Sequence, residues 1–310
     1  VRDDRLLLSL KGYIGDAVMT APLLNRLEAE FRHVTLLTAP VARDVLRADA
    51  SAPYLPLVKE RTPWLVVQQA IRLRKERFRI VVLVNRSFRS ALVARLAGIP
   101  VRVGHNSEGR APLLTHAVPF DEEKFEAFCS LDLASPLNLD PSPERPRLHI
   151  QTAERKVGSE MLDGATVGFQ PGARFPKKQV PIPVLAEVAR SLIARGHRLA
   201  LFGGPEESAD AEAFSGIVGG EVVNLVGRCR IRETIGTVSH LRLMIGSDTG
   251  VMHLAAGAGC PTVTVFGPTK ANKWGHDYEP HTVLRSEDGD ITRIRAEEIL
   301  GAALARLEGV

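Results

Sequence analysis

Short aliphatic and β-branched runs alternate with amphipathic stretches from one end of the chain to the other. This alternation restricts the fold more than any other feature. Two parallel strands can be joined only through a crossover of a dozen or more residues, which is usually a helix. The pattern therefore predicts βαβ units and parallel sheets. Leu6–Leu10, His33–Leu37, Ile80–Val84 and Val101–Val103 read as strands. Between the first two, Asp16–Phe31 reads as a helix that turns Val18, Leu23, Leu24 and Leu27 inward.

Pro136, Pro141, Pro143 and Pro146 then interrupt the pattern, because proline is excluded from helix interiors and central strands. After a helical run over Gln151–Leu162 the alternation restarts, with strands expected at Thr166–Gln170, Arg198–Phe202, Val222–Leu225, Leu243–Gly246 and Thr262–Phe266. A last amphipathic stretch, Ile291–Leu307, places Ile294, Ile299, Leu300, Ala303, Leu304 and Leu307 on one face and reads as a closing helix. The expected fold is α/β, with two Rossmann-like, doubly wound domains over residues 1–150 and 151–310 and a cleft between them. A chain of 310 residues, 45% of them hydrophobic, can build two such cores.

Cys129, Cys229 and Cys260 are far apart and form no metal-ligand or disulfide spacing, which points to a reducing, cytoplasmic setting. The run Leu6–Leu8 is too short for the apolar core of a signal peptide, and no stretch reaches the roughly 18 apolar residues of a membrane span. Any membrane contact is then peripheral. Residues 1–150 hold 22 basic and 17 acidic side chains, whereas residues 151–310 hold 18 and 19, so the net positive charge sits in the first half. Its densest cluster is Arg72, Arg74, Lys75, Arg77 and Arg79. That surplus fits an anionic partner or a plainly solvated face, and no nucleic-acid module or aromatic platform accompanies it.

Ligands of doubly wound sheets bind beyond the carboxyl ends of the strands. The first such loop, Lys11-Gly12-Tyr13-Ile14-Gly15-Asp16, allows a tight turn into a helix. Asp16 there can oppose the helix dipole or act on a substrate, and the local sequence alone favours the former. A dinucleotide site is disfavoured, since the loop lacks GxGxxG and the second strand ends in Thr38-Ala39-Pro40 without an acidic residue. In the second half, Gln170-Pro171-Gly172-Ala173-Arg174-Phe175-Pro176-Lys177-Lys178 reads either as a phosphate-meeting loop or as an exposed basic one. Phe202-Gly203-Gly204-Pro205-Glu206-Glu207 brings carboxylates that suit ribose hydroxyls or a helix dipole. Ser247-Asp248-Thr249-Gly250-Val251-Met252-His253 passes from a strand through a small polar turn into a helix, whose N–H groups favour a diphosphate. His253, taken alone, reads equally as a packing residue. Phe266-Gly267-Pro268-Thr269 supplies a fourth turn. Four such turns on one sheet edge suggest a nucleotide-diphosphate site. The acidic run Glu287-Asp288-Gly289-Asp290 reads as a solvated turn and not as a metal clamp, so no metal or cofactor is expected.

These residues resemble glycosyltransferase family 9, the heptosyltransferases of lipopolysaccharide inner-core assembly. The resemblance spans nearly the whole chain. It rests on Ile14-Gly15-Asp16-Ala17-Val18-Met19-Thr20-Ala21-Pro22-Leu23, on Asn85-Arg86-Ser87-Phe88-Arg89-Ser90-Ala91-Leu92 and on Leu96-Ala97-Gly98-Ile99-Pro100-Val101-Arg102-Val103-Gly104. Pro171-Gly172-Ala173, Ser247-Asp248-Thr249-Gly250-Val251-Met252-His253-Leu254-Ala255-Ala256 and Phe266-Gly267-Pro268-Thr269 complete it.

The resemblance implies the two-domain glycosyltransferase B fold. It implies an inverting, metal-independent transfer from a nucleotide sugar, ADP-L-glycero-D-manno-heptose, to a lipopolysaccharide-core acceptor. The first domain would bind the acceptor, through Gly15, Asn85, Ser87 and Arg89, and the second the donor. By this likeness Asp16 matches the general base, which reverses the dipole reading. Lys178 matches a lysine that meets donor phosphate. Gly172, Ala173, Glu206, Ser247, Asp248, Thr249, Gly250, Met252, His253, Gly267 and Thr269 fall on the donor side. The implied setting is the cytoplasm, with peripheral contact at the inner membrane face and an anionic glycolipid as partner. Where the family usually reads Ala-Lys-Arg-Trp-Pro after the Pro-Gly-Ala turn, this chain has Lys177-Lys178-Gln179-Val180-Pro181, with a turn one residue shorter, the lysine kept and the tryptophan absent. Two other readings share the fold: a transferase for another sugar or acceptor, and a binding homologue without turnover.

Overall fold

The computed structural model describes residues 2–47, 49, 52–57, 62–220, 222–286 and 288–309. They divide into two compact units between Pro146 and Arg147. The division has a local cause. Arg26 holds the chain before it, donating to the carbonyls of Asp140 and Ser142 and pairing with Glu144. Beyond it the Leu148 N–H donates to the Gly257 carbonyl at 2.8 Å, and Arg232 donates to the His149 carbonyl at 2.7 Å.

The first unit contains strands β1 (Arg2–Ser9), β2 (Phe31–Thr38), β3 (Tyr54–Pro56), β4 (Ile80–Leu83), β5 (Val101–His105) and β6 (His116–Val118). Its helices are α1 (Ile14–Glu30), α2 (Pro40–Leu46), α3 (Pro63–Lys75), α4 (Phe88–Leu96) and α5 (Glu126–Asp132). All six strands run parallel in the order β3-β2-β1-β4-β5-β6. Central β1 is buried on both faces, and Leu8 stands beside Leu36 on one side and Val82 on the other. Two-sided burial explains why Leu6, Leu7 and Leu8 form an unbroken apolar run, each contributing about 1.5–3 kcal/mol. On one face Leu7, Val81 and Leu83 pack with Ala70 and Leu73 of α3 and with Ala91 and Ala94 of α4.

The second unit repeats the plan. Its strands are β7 (Val167–Gln170), β8 (Leu199–Leu201), β9 (Val222–Asn224), β10 (Leu243–Ser247), β11 (Thr262–Phe266) and β12 (Thr282–Arg285). They are joined by α6 (Thr152–Leu162), α7 (Ile182–Ile193), α8 (Ser208–Val218), α9 (Ile231–Val238), α10 (Gly250–Gly257), α11 (Ala271–Trp274) and α12 (Ala296–Glu308). The order β12-β11-β10-β7-β8-β9 is again parallel throughout. Ile299, Ala303 and Leu307 of α12 join a core with Leu185, Val188 and Phe214. The opposite face is closed by Met244, Met252, Ala255 and Val238.

The expected pair of doubly wound parallel sheets is present. Local boundaries differ. The first helix starts at Ile14, before Asp16, and the closing helix starts at Ala296, after a short turn over Ile291–Arg293. The edge strands β3 and β6 are three residues each, too short to show a period. Of the acidic run, Glu287 lies outside the described residues.

Candidate active site

In each sheet the chain reverses its direction of winding between two central strands, β1 and β4 in the first and β7 and β10 in the second. The loops beyond these strands flank the crevice where doubly wound folds place their ligands.

In the second unit those loops converge on Asp248, only 6% exposed. Its Oδ2 accepts hydrogen bonds from Lys178 Nζ and Thr269 Oγ1, each at 2.7 Å. Its Oδ1 faces His253 Nε2 across 3.5 Å. Burial alone would raise the Asp248 carboxyl, but His253 and Lys178 outweigh it and hold the group well below the usual carboxylate range. The turns after β7, β10 and β11 thus meet through side chains. The turn after β8 joins them indirectly: Gln170 Nε2 donates to Glu207 at 3.2 Å, and Gln170 Oε1 accepts from the Thr249 hydroxyl. Thr249 caps α10. The first N–H groups of that helix have no intrahelical carbonyl, so they remain available to an anion beside a lysine.

The lysine loop is strapped down: the Val180 N–H donates to Ser247 Oγ at 3.0 Å, and Gln179 Nε2 donates to the Pro171 carbonyl at 3.1 Å. This strap brings Lys178 to Asp248 and leaves Lys177 exposed. Val180, where the family resemblance leads one to expect tryptophan, is fully buried and serves the strap through its backbone. Gly267 is needed for close approach, since a Cβ there would stand 3.2 Å from the Lys177 carbonyl and 3.0 Å from the Ile291 Cβ. Gly172 is buried and Ala173 partly so, at the root of the same loop.

Glu206 and Met252, expected on the donor side, differ from these in burial and packing. Glu206 is exposed, and its neighbour Glu207 is the buried carboxylate, accepting from the Gly204 N–H at 2.8 Å. Burial pushes the Glu207 carboxyl up, against the pull of Gly204 and Gln170. The Met252 side chain packs in the core with Phe202 and Met244, so only its backbone faces the turn.

In the first unit, Asp16 sits in the first turn of α1, partly buried, with Lys11 Nζ 3.9 Å from its Oδ1. Gly15 precedes it in the same turn. The turn needs Gly12, because a Cβ there would come within 2.4 Å of the Ala39 Cβ. Beside this turn opens a cavity of about 870 Å³, with Lys11, Asn85, Ser87 and Arg89 among its lining residues and apolar side chains such as Leu73 and Val93 behind them. Gln69 and Asn85 also line it, and their Nε2 and Oδ1 atoms are buried without a hydrogen-bond partner.

Arg110, overlooked in the sequence, organises this region. It is fully buried and donates to the carbonyls of His105 at 2.8 Å and Asn85 at 2.6 Å, with longer contacts to Leu83, Ser87 and Ser90. Burial lowers its guanidinium to about 10, with Glu108 opposing the shift. His276 and Tyr278, in the segment between α11 and β12, are likewise not marked by any motif.

Among the described residues no group of three His, Cys, Asp or Glu side chains could hold a metal ion. Residues 66–301 match the model of glycosyltransferase family 9 (heptosyltransferase). The chain is 26% identical over 302 residues to lipopolysaccharide heptosyltransferase 2 of Escherichia coli K12, covering 86% of this chain and 83% of that protein. Its fold matches the solved E. coli ADP-heptose lipopolysaccharide heptosyltransferase II with a TM-score of 0.83 at 23% identity, over 98% and 99% of the two chains. It also matches the E. coli heptosyltransferase WaaC with ADP, with a TM-score of 0.77 at 16% identity over 97% and 99%.

Proposed function

This chain belongs to glycosyltransferase family 9 (heptosyltransferase), and from that premise we propose that it moves heptose from ADP-L-glycero-D-manno-heptose to the inner core of lipopolysaccharide. The observation that carries the donor half is the convergence of Lys178, Thr269 and His253 on Asp248 at the start of α10. A lysine held by a buried carboxylate is pre-placed at the turn. It can turn toward an incoming diphosphate while the helix N–H groups meet the other oxygens, and this stabilises the leaving group without a metal.

In this reading Asp16 is the general base. As the acceptor oxygen attacks the anomeric carbon, Asp16 takes its proton and the carbon–oxygen bond to the diphosphate breaks, inverting the configuration. Lys11, whose Nζ lies 3.9 Å from Asp16 Oδ1, offers a positive contact to an anionic acceptor. The unpartnered Gln69 Nε2 and Asn85 Oδ1 supply one donor and one acceptor, which suits a sugar hydroxyl.

The acceptor's lipid brings the protein to a membrane face in the cytoplasm. No helix of the described residues is long and apolar enough to cross a membrane. Helix α3, however, exposes Trp64, Val67 and Ile71 at the spacing of one face, beside exposed Arg74, Lys75, Arg77 and Arg79. An apolar stripe flanked by cations fits an anionic lipid surface.

Purified protein incubated with ADP-heptose and a heptose-bearing core acceptor tests the reading. Wild-type protein should form the glycosylated product, and Asp16→Ala should lower kcat by a factor on the order of 10²–10⁴ with little change in ADP affinity. Absence of transfer by the wild type, or full activity in the variant, overturns it.

A further inference from the structure

Thr249 stands at the cap position of α10, where a threonine ordinarily turns its hydroxyl oxygen to accept from the second or third N–H of the helix, here Val251 or Met252. In this structure it does not. The Thr249 side chain makes no capping hydrogen bond, and its hydroxyl donates instead to Gln170 Oε1 at the end of β7. Gln170 is almost fully buried and lies beside Gly246 in the register of β7 with β10. Its Nε2 donates to the buried Glu207 carboxylate at 3.2 Å, and Glu207 also accepts from the Gly204 N–H at 2.8 Å.

Space for this pair is built into the sheet edge. A Cβ on Gly246 would stand 3.1 Å from the Gln170 Cβ, and one on Gly172 would stand 2.9 Å from the Glu207 Cβ and Cγ. An ionised carboxylate only accepts, so Glu207 draws the NH₂ side of the amide and leaves the carbonyl side for Thr249. With the amide turned over, Nε2 would meet the Thr249 oxygen, and the hydroxyl would still be engaged by Gln170 and not by α10. The diversion of Thr249 from its helix therefore depends on an amide of glutamine's reach at position 170, whichever way round it lies.

We propose that Gln170 is a positioning residue for the donor site: it holds the Thr249 hydroxyl away from the first turn of α10 and so leaves the Val251 and Met252 N–H groups open to the donor diphosphate. The inference rests on the reading of this turn as the diphosphate site. The N–H groups at the start of a helix have no intrahelical carbonyl, and a side-chain cap takes one of them. An anion arriving at a capped helix must first displace the hydroxyl. Gln170 is the partner of that hydroxyl among the described residues, so without the amide a rotation about χ1 lets Thr249 close on the helix. The typical worth of a threonine cap corresponds to about fivefold in an equilibrium constant, and ADP affinity carries that loss.

The experiment uses the full chain and calorimetry with ADP on wild type, Gln170→Met, Thr249→Val and the two substitutions together. Methionine keeps the length of glutamine and removes the amide, and Gln170→Leu takes its place if that variant fails to fold. ADP affinity should fall about fivefold in Gln170→Met. The same substitution in the Thr249→Val background should change it less than twofold, because no hydroxyl remains to close on the helix. Amide exchange read by NMR gives a second test without ligand. The Val251 and Met252 amides should exchange about fivefold more slowly in Gln170→Met than in wild type, whereas loosened packing would speed them. ADP affinity within twofold of wild type in Gln170→Met, an equal loss in both backgrounds, or exchange at Val251 and Met252 no slower than in wild type overturns the proposal. Failure of wild-type protein to bind ADP instead overturns the donor-site reading, and the exchange rates still decide whether Gln170 keeps Thr249 off the helix.

Discussion

Arg110 offers the sharpest test of how the first unit builds its cavity. Replacing it with methionine keeps most of the buried stem and removes the guanidinium. Two of its hydrogen bonds are short, to the Asn85 carbonyl at 2.6 Å and the His105 carbonyl at 2.8 Å, while those to Leu83, Ser87 and Ser90 lie between 3.3 and 3.4 Å. Bonds from a charged donor contribute about 1.5–3 kcal/mol each, so the two short ones account for about 4 kcal/mol and the long ones for little. The lowered Arg110 pKa shows that burying this cation carries a cost, and methionine relieves part of it, on the order of 1–2 kcal/mol. The expected net loss is about 2–3 kcal/mol. It should be local, because the carbonyls released belong to the end of β5 and the loop between β4 and α4. Hydrogen exchange read by mass spectrometry over residues 85–96 should speed up by about 30- to 150-fold, while peptides of α10 in the second unit keep their rates. Acceptor KM should rise with Asn85 and Ser87 displaced, and ADP affinity should stay unchanged. A variant whose exchange over residues 85–96 is within a factor of two of wild type would refute the assignment of Arg110 as the organiser of this loop.

Two further outcomes follow from charge. Because the Asp248 carboxyl is held below its unfolded value of 3.8, its contribution to stability is present above that pH and is lost as pH falls through the folded-state value. The second unit of wild-type protein should therefore lose exchange protection below about pH 4, and Asp248→Asn should flatten that slope while lowering protection at neutral pH. The second outcome concerns α3. Sedimentation with vesicles containing phosphatidylglycerol should capture the protein at low salt and release it as ionic strength rises. Trp64→Ser or replacement of Arg74, Lys75, Arg77 and Arg79 by glutamine should weaken capture several-fold, and unaltered binding would return those residues to an ordinary solvated surface.

The two sheets are legible in the sequence because parallel strands buried on both faces are rich in unbroken apolar runs, as Leu6–Leu8 and Ile80–Leu83 are. The edge strands β3 and β6 carry no such constraint. Each has one neighbour and three residues, so tertiary pairing, not local pattern, decides them. The turn after β10 stands out for another reason: a strand that passes straight into a helix through serine, aspartate and threonine can either cap the helix or hold an anion, and the sequence does not show that Ser247 and Asp248 also tie in the loop after β7.

Side-chain partnerships were hidden by their span. Lys178 and Asp248 are 70 residues apart, Asn85 and Arg110 are 25 apart, and neither separation has a period to betray it. Met252 and Glu206 show a second limit. Both stand in the right turns, yet one side chain faces the core and the other the solvent, because a strand-end loop specifies where its backbone goes and not which way each side chain points. His253 joins both lessons. A histidine one helical turn past a strand-end turn is ambiguous by itself. It becomes informative only when the fold sets its Nε2 3.5 Å from the buried Asp248 carboxylate, which Lys178 and Thr269 reach from two other loops.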